Sequence, residues 1–171
     1  MNTVTHALLP VIAAGLYERS YAPKSRRRGT LSSNAIALVG IFGAAPDLLN
    51  PHISLAARYT SWSHGLFFWA SLTTTLVLYG AVRRLKRPYW SIAPWLSGAY
   101  LLHLACDAIS GGIAWAYPFT YQIIGARIVS YRWWIPLDLV CAVAAYLIFR
   151  AIPRIAEQRM KMNQPHSVKS A

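Results

Sequence analysis

Long apolar runs separated by short polar segments dominate the chain. Four of these runs approach the roughly 20 mostly apolar residues that a membrane-spanning helix needs. They cover residues 31–49, 65–82, 88–109 and 133–149, and a shorter apolar run covers residues 7–17. The pattern therefore predicts an all-α fold: a polytopic membrane helix bundle with four long transmembrane helices and a short N-terminal apolar helix.

Composition supports the membrane interpretation. The 171 residues are 56% hydrophobic and only 13% charged, whereas ordinary soluble domains are roughly a quarter charged. The 17 basic against 5 acidic residues would also suit a nucleic-acid-binding protein, but the apolar body excludes that class and we expect no nucleic-acid partner. Residues 1–152 are predicted to form one membrane domain, and residues 153–171 a polar, basic, disordered tail.

The basic residues fall into three clusters that predict an orientation. Residues 19–28 hold five of them, residues 83–87 hold four, and the segment from Arg150 onward holds five. Lysine and arginine concentrate in the cytoplasmic loops of membrane proteins, and two predicted helices separate each cluster from the next. We therefore expect a multi-pass protein of the inner (cytoplasmic) membrane, with its basic loops and its C-terminus in the cytoplasm.

Ionisable residues within or near the predicted helices are few, and they share one depth. Given that orientation, they lie toward the outer, periplasmic face. They are His6, Asp47, His52, His64, His103, Asp107 and Asp138. Each alone has an ordinary interpretation, such as a hydrogen bond between helices or a turn at the membrane surface. Together they indicate a functional site, because carboxylates near the hydrocarbon are costly.

The spacing of one pair indicates metal chemistry. His103 and Asp107 lie four residues apart and share one helix face, and bundle cores build metal sites from such pairs and ligands on neighbouring helices. Imidazoles and carboxylates without thiolates suit a divalent metal, for which we predict zinc, with manganese or iron as alternatives. The candidate ligands, enough for one or two ions, are His6, Asp47, His64, His103 and Asp107.

Four short motifs, in order, resemble those of a known family. They are NTVTHALLP at the N-terminus, APDLLN after the first long helix, SWSHGLFF opening the second, and HLACDAISGGIAWAYPFT closing the third. They resemble the YdjM family of bacterial inner-membrane proteins, described as predicted metal-dependent hydrolases. The resemblance covers residues 2–120, with one departure: the family box R-G-x-T-H-S reads S-W-S-H-G here, which keeps His64.

The order His, Asp, His, His-x-x-x-Asp is also similar to that of zinc-dependent phospholipase C. By that resemblance Asp47, His64 and His103 hold one metal, Asp107 bridges, and His6 helps to hold a second. The function implied is hydrolysis of a phosphoester by a metal-activated water, with Asp47 or Asp107 as the catalytic group that transfers the proton. The expected partners are membrane lipids and a phosphoester substrate, such as a lipid headgroup.

Other interpretations of the same residues stay open. Ser63 and Asp138 are additional site candidates without an assigned role. The His/Asp cluster would also suit an ion or proton relay, or a structural or regulatory metal site in a protein that is not an enzyme.

Overall fold

The computed structural model describes residues 2–21, 31–51, 57, 59 and 61–162. Within these ranges the regular structure is helical, and the only β-type pairing is an isolated bridge between Ile113 and Ile124. The prediction of an all-α fold is therefore confirmed.

Six α-helices follow one another along the described part of the chain. They are α1 (Thr3–Tyr21), α2 (Ser33–Leu49), α3 (Leu66–Val82), α4 (Arg87–Ser110), α5 (Trp134–Tyr146) and α6 (Ile152–Met162). A 3-10 turn, Trp62–His64, precedes α3, and another, Tyr131–Trp133, precedes α5. A π-helical turn, Leu147–Ala151, joins α5 to α6.

Two described helical segments are long and apolar enough to cross a membrane, rather than the four predicted. They are α4, with 24 residues, and the continuous segment Tyr131–Met162, with 32. The helices α2 and α3 are apolar but have 17 residues each. A helix of that length is about 25 Å long, somewhat less than the roughly 30 Å hydrocarbon core.

Both ends of the chain differ from the sequence prediction. The N-terminal helix α1 has 19 residues instead of the expected short helix, because polar residues such as Thr5 and Glu18 continue it beyond the apolar run. At the other end, the tail predicted from residue 153 is helical through Met162. Because α5 and the π-helical turn lead directly into α6, the helix can extend into α6 without a separate nucleation step. Residues 163–171 lie outside the described residues.

Close packing of α1 against α2 places their polar ends side by side. A methyl group on Gly43 would lie 2.4 Å from the carbonyl oxygen of His6, and one on Gly40 would lie 2.9 Å from Val11. Glycine at such positions lets two helix backbones approach. The arrangement brings the first turns of α1 next to the last turns of α2.

The other helices complete the bundle around this pair. Helix α1 also packs against α5, α2 packs against α4, and α4 packs against α3. One buried apolar cluster, Val39, Leu96 and Ala99, joins α2 to α4. A second cluster contains Tyr100, Leu104 and Ile113. The polar residues of α4 lie at the same level as this second cluster, within one helical turn of Leu104.

Candidate metal centre

Polar side chains from two helices and one turn converge at one end of the bundle. Asp47 comes from the last turn of α2, His64 from the turn Trp62–His64, and His103 and Asp107 from the C-terminal half of α4. One ligand atom from each lies within 4.8 Å of those of the other three. The side chains of His64, His103 and Asp107 are at most 1% exposed, whereas that of Asp47 is 17% exposed. Solvent therefore reaches this group at Asp47.

The two imidazoles lie at similar distances from each other and from the two carboxylates. The Nε2 atom of His64 lies 3.3 Å from Oδ1 of Asp47 and 3.4 Å from Oδ2 of Asp107. The Nε2 atom of His103 lies 3.5 Å and 3.3 Å from the same two oxygens, and the two Nε2 atoms are 3.3 Å apart. Donor atoms that share one zinc ion at about 2.0–2.1 Å are separated by distances of this size.

Contacts behind His103 fix which nitrogen faces the cluster. Its Nδ1 atom lies 2.7 Å from the carbonyl oxygen of Gly43, in α2. A carbonyl oxygen only accepts hydrogen bonds, so Nδ1 carries the proton and donates it. In the neutral imidazole the lone pair is then on Nε2, which points at the carboxylates. This is the arrangement of a metal-binding histidine, whose second nitrogen is held by a backbone carbonyl or a carboxylate.

A chain of hydroxyl groups does the same for His64. Its Nδ1 atom lies 2.9 Å from Oγ of Ser61, which lies 2.9 Å from Oγ of Ser63. Ser63 donates to the carbonyl oxygen of Pro46 at 2.7 Å. Every hydrogen bond in this chain has one donor and one acceptor if His64 donates to Ser61, Ser61 to Ser63, and Ser63 to the carbonyl of Pro46. The Nε2 atom of His64 then also directs a lone pair into the cluster.

When both imidazoles are neutral, four hydrogen-bond acceptor atoms therefore face one another in the cluster. Two carboxylate oxygens and two imidazole lone pairs repel one another at these distances, and burial strengthens the repulsion. A divalent cation at the centre would offset this repulsion, and this set of nitrogen and oxygen donors suits such a cation. The residues present thus fit a metal ion.

His6, the fifth predicted ligand, lies beside this group of four. Its Nε2 atom is 3.1 Å from Oδ1 of Asp107, the oxygen that the other two imidazoles do not contact at the distances above. Its ring stacks on that of His103, with centroids 3.8 Å apart. Asp107 therefore links His6 to the group of four, and a ligand role for His6 stays a prediction.

The two additional candidates have different positions. Ser63 contacts Nδ1 of His64 at 3.2 Å, on the side of the ring that faces away from the cluster, where it supports the imidazole. Asp138 contacts Asn2 and Thr5, in the N-terminal part of the chain. His52, also noted in the sequence, lies outside the described residues.

Several supporting groups were missed by the sequence prediction. Asn50 donates to Ser61 at 2.8 Å, Tyr100 donates to the carbonyl oxygen of Ser63 at 2.5 Å, and Thr3 donates to Oδ2 of Asp47 at 2.7 Å. The available signal was proximity in sequence. Thr3, Asn50 and Ser61 each lie within three residues of a predicted ligand.

Together, the fold and the cluster define a class: all-helical proteins with apolar, membrane-length helices and a buried group of imidazoles and carboxylates. Comparison with known families identifies the particular family. The model of the YdjM inner membrane protein family matches residues 1–163, so the chain belongs to that family. No curated protein and no solved structure gives a significant match.

Proposed function

We propose that this protein is a membrane-bound, metal-dependent hydrolase that cleaves a phosphoester. The observation that carries the proposal is the compact group formed by Asp47, His64, His103 and Asp107, whose ligand atoms all lie within 4.8 Å of one another. Zinc is the metal that best matches its dimensions and ligand types, with manganese or iron as alternatives. When bound, such a metal activates a water molecule and stabilises the charge on a phosphoester oxygen.

The residues of the cluster divide the remaining tasks between them. Asp47 is the partly exposed member, so it is the group that can take a proton from water and release it to solvent. Thr3 holds the other oxygen of that carboxylate at 2.7 Å and so fixes its orientation. Asp107 is buried and contacts three imidazoles, which suits a ligand that holds the centre together.

A lipid headgroup is the substrate that best fits the surroundings of the centre. The segment between α4 and α5, together with the first turn of α5, exposes large apolar side chains near the end of the helix that carries Asp107. They are Phe119, Tyr121, Ile128, Tyr131, Trp133 and Ile135. Aromatic side chains of this kind are typical of the interface between membrane and water, where phosphoester headgroups lie.

The topology proposed for this function has crossings by α2, α3, α4 and the segment Tyr131–Met162. Helix α1, with 19 residues, runs antiparallel beside α2, from His6 at the metal centre to the basic cluster that begins at Arg19. The 17 residues of α2 and α3 are at the lower limit of a spanning helix. The basic clusters and the C-terminus then face the cytoplasm and the metal centre faces the periplasm. Reporter fusions at the C-terminus test this orientation: a periplasmic C-terminus would place the centre on the opposite face.

Two measurements test the function, first the metal content and then the turnover of substrate. The wild-type protein in lipid nanodiscs should contain about one or two equivalents of metal and should hydrolyse a phosphodiester or a phospholipid. Asp107→Asn should lose both properties. Glu157→Gln is the matched control, because Glu157 is 61% exposed on α6 and pairs with Lys161 of the same helix. Metal-free wild-type protein that is unaffected by chelators would refute the proposal.

A proton or ion relay is the alternative that a specific observation favours. Distances of 3.1 to 3.5 Å between imidazole nitrogens and carboxylate oxygens also suit ion pairs between protonated histidines and aspartates. The relay would be supported if metal-free protein carried protons across the membrane of proteoliposomes and Asp107→Asn abolished this flux. Tight metal binding without turnover would instead indicate a structural or regulatory site.

A further inference from the structure

Asp138 lies in the second turn of α5, yet its contacts are with the start of α1. One carboxylate oxygen accepts from Nδ2 of Asn2 at 2.7 Å. The other accepts from the backbone N–H of Thr5 at 3.0 Å and from the hydroxyl of Thr5. Thr5 is 1% exposed, so this joint between the two helices is buried.

This contact provides hydrogen-bond acceptors and a negative charge that α1 lacks at its N-terminus. The first backbone N–H groups of a helix lack partners within the helix, and a negative charge near them is favourable. The first turn of α1 contains no acidic residue. Asp138 supplies that charge from a different helix, which fixes the first turn of α1 relative to α5.

That first turn carries a side chain of the centre. His6 directly follows Thr5, and the Nδ1 atom of His6 is buried without a hydrogen-bond partner among the described residues. His64 and His103, by contrast, are each oriented through Nδ1 by a second group. The position of the His6 ring against Asp107 therefore depends on where the backbone of α1 is placed.

The same turn also reaches the other carboxylate of the cluster, since Thr3 donates to Asp47. We propose that Asp138 is a positioning residue of the metal centre: by holding Asn2 and Thr5, it sets His6 against Asp107 and Thr3 against Asp47. The inference rests on the proposed function only in treating the His/Asp cluster as a metal centre.

Chemical modification of histidine, mapped residue by residue by mass spectrometry, tests the placement without metal or turnover. In the wild-type protein His6, His64 and His103 are all buried and should resist diethyl pyrocarbonate. In Asp138→Asn, which keeps the shape but removes the charge, His6 should react about tenfold faster, because charge-assisted hydrogen bonds are lost. His64 and His103 should stay protected.

Other outcomes of this experiment contradict the proposal. Unchanged protection of His6 would show that α1 is held by other contacts, and equal exposure of the three histidines would show that Asp138 supports the whole fold. Thr5→Val, which removes the hydroxyl donor at nearly constant shape, should expose His6 selectively but less. It carries the same test if Asp138→Asn does not fold. Glu157→Gln, on the solvent-exposed end of the same helical segment, should match the wild type.

Cobalt binding provides a second readout that a purely structural role would not produce. Asp138→Asn and His6→Gln should each weaken Co²⁺ affinity and alter its visible absorption spectrum. Because Asp138 acts partly through His6, the double variant should lose less affinity than the sum of the two single losses. Additive losses would contradict the proposal. A wild-type protein that binds no cobalt would count against the proposed function, while the histidine modification still decides the role of Asp138.

Discussion

Replacing Gly43 with alanine should disturb helix packing and the metal centre together. The new methyl group would lie 2.4 Å from the carbonyl oxygen of His6 and 2.7 Å from the ring of Pro10. Because the first of these is a backbone atom, a change of rotamer cannot relieve the clash. Helix α1 must retreat, and it carries His6 with it. The carbonyl oxygen of Gly43 also accepts a hydrogen bond from His103. If α2 moved rather than α1, the imidazole of His103 would therefore be displaced.

The magnitude follows from the size of the clash. Ordinary contact begins near 3.4 Å, so α1 must move by about 1 Å at His6. Overpacking of this kind costs about 1–3 kcal/mol, and the rigid obstacle places Gly43→Ala toward the upper end. The higher helix propensity of alanine returns up to about 1 kcal/mol. We expect a net loss of about 2 kcal/mol, which lowers the Tm of a chain of this length by about 4–8 °C.

The chain offers a matched control at Gly98, in α4. A methyl group there meets nothing within 4 Å, so Gly98→Ala should leave the Tm unchanged or raise it slightly. Thermal unfolding of both variants in the same detergent, with metal content measured in parallel, separates local packing from helix propensity. Equal behaviour of the two variants, or a Gly43→Ala protein with wild-type Tm and metal content, would refute the packing argument.

Three further outcomes are expected. Tyr100→Phe removes the 2.5 Å hydrogen bond to the carbonyl of Ser63 and should reduce the free energy of unfolding by about 1 kcal/mol, measured by thermal unfolding. Ser61→Ala breaks the hydroxyl chain behind His64 and should weaken zinc affinity by about 10- to 100-fold in a competition with a chelator. Removal of metal should lower the Tm of the wild type but not that of Asp107→Asn; an equal fall in both would place the metal elsewhere.

The candidate ligands could be picked out from the sequence because their surroundings are so apolar. In such a chain each aspartate or histidine is conspicuous, and the charge clusters gave all of them one depth. The structure brings Asp47, His64, His103 and Asp107 into one group and His6 against Asp107. Residues from four separate segments of sequence thus meet at one end of the bundle.

The supporting groups could not be predicted in the same way. The carbonyl oxygens of Gly43 and Pro46 hold the imidazoles, and a backbone carbonyl leaves no trace in the sequence. The contact between Asp138 and Thr5 depends on how α5 packs against α1, which hydropathy does not encode. The lengths of the first and last helical segments were misjudged for a related reason: hydropathy marks the apolar part of a helix, not its ends.

The C-terminal half of α2 connects the candidate metal centre to the packing of the helices. Gly43 both admits the backbone of α1 and accepts the hydrogen bond of His103. Pro46, one turn later, offers one of the last carbonyls of α2, which lack partners within the helix, to the hydroxyl chain that orients His64. Asp47 itself follows. Since the same few backbone atoms position two imidazoles, one carboxylate and the neighbouring helix, an ion bound at the centre must also stabilise the contacts among α1, α2 and α4. Metal binding and folding of this bundle should therefore be thermodynamically coupled.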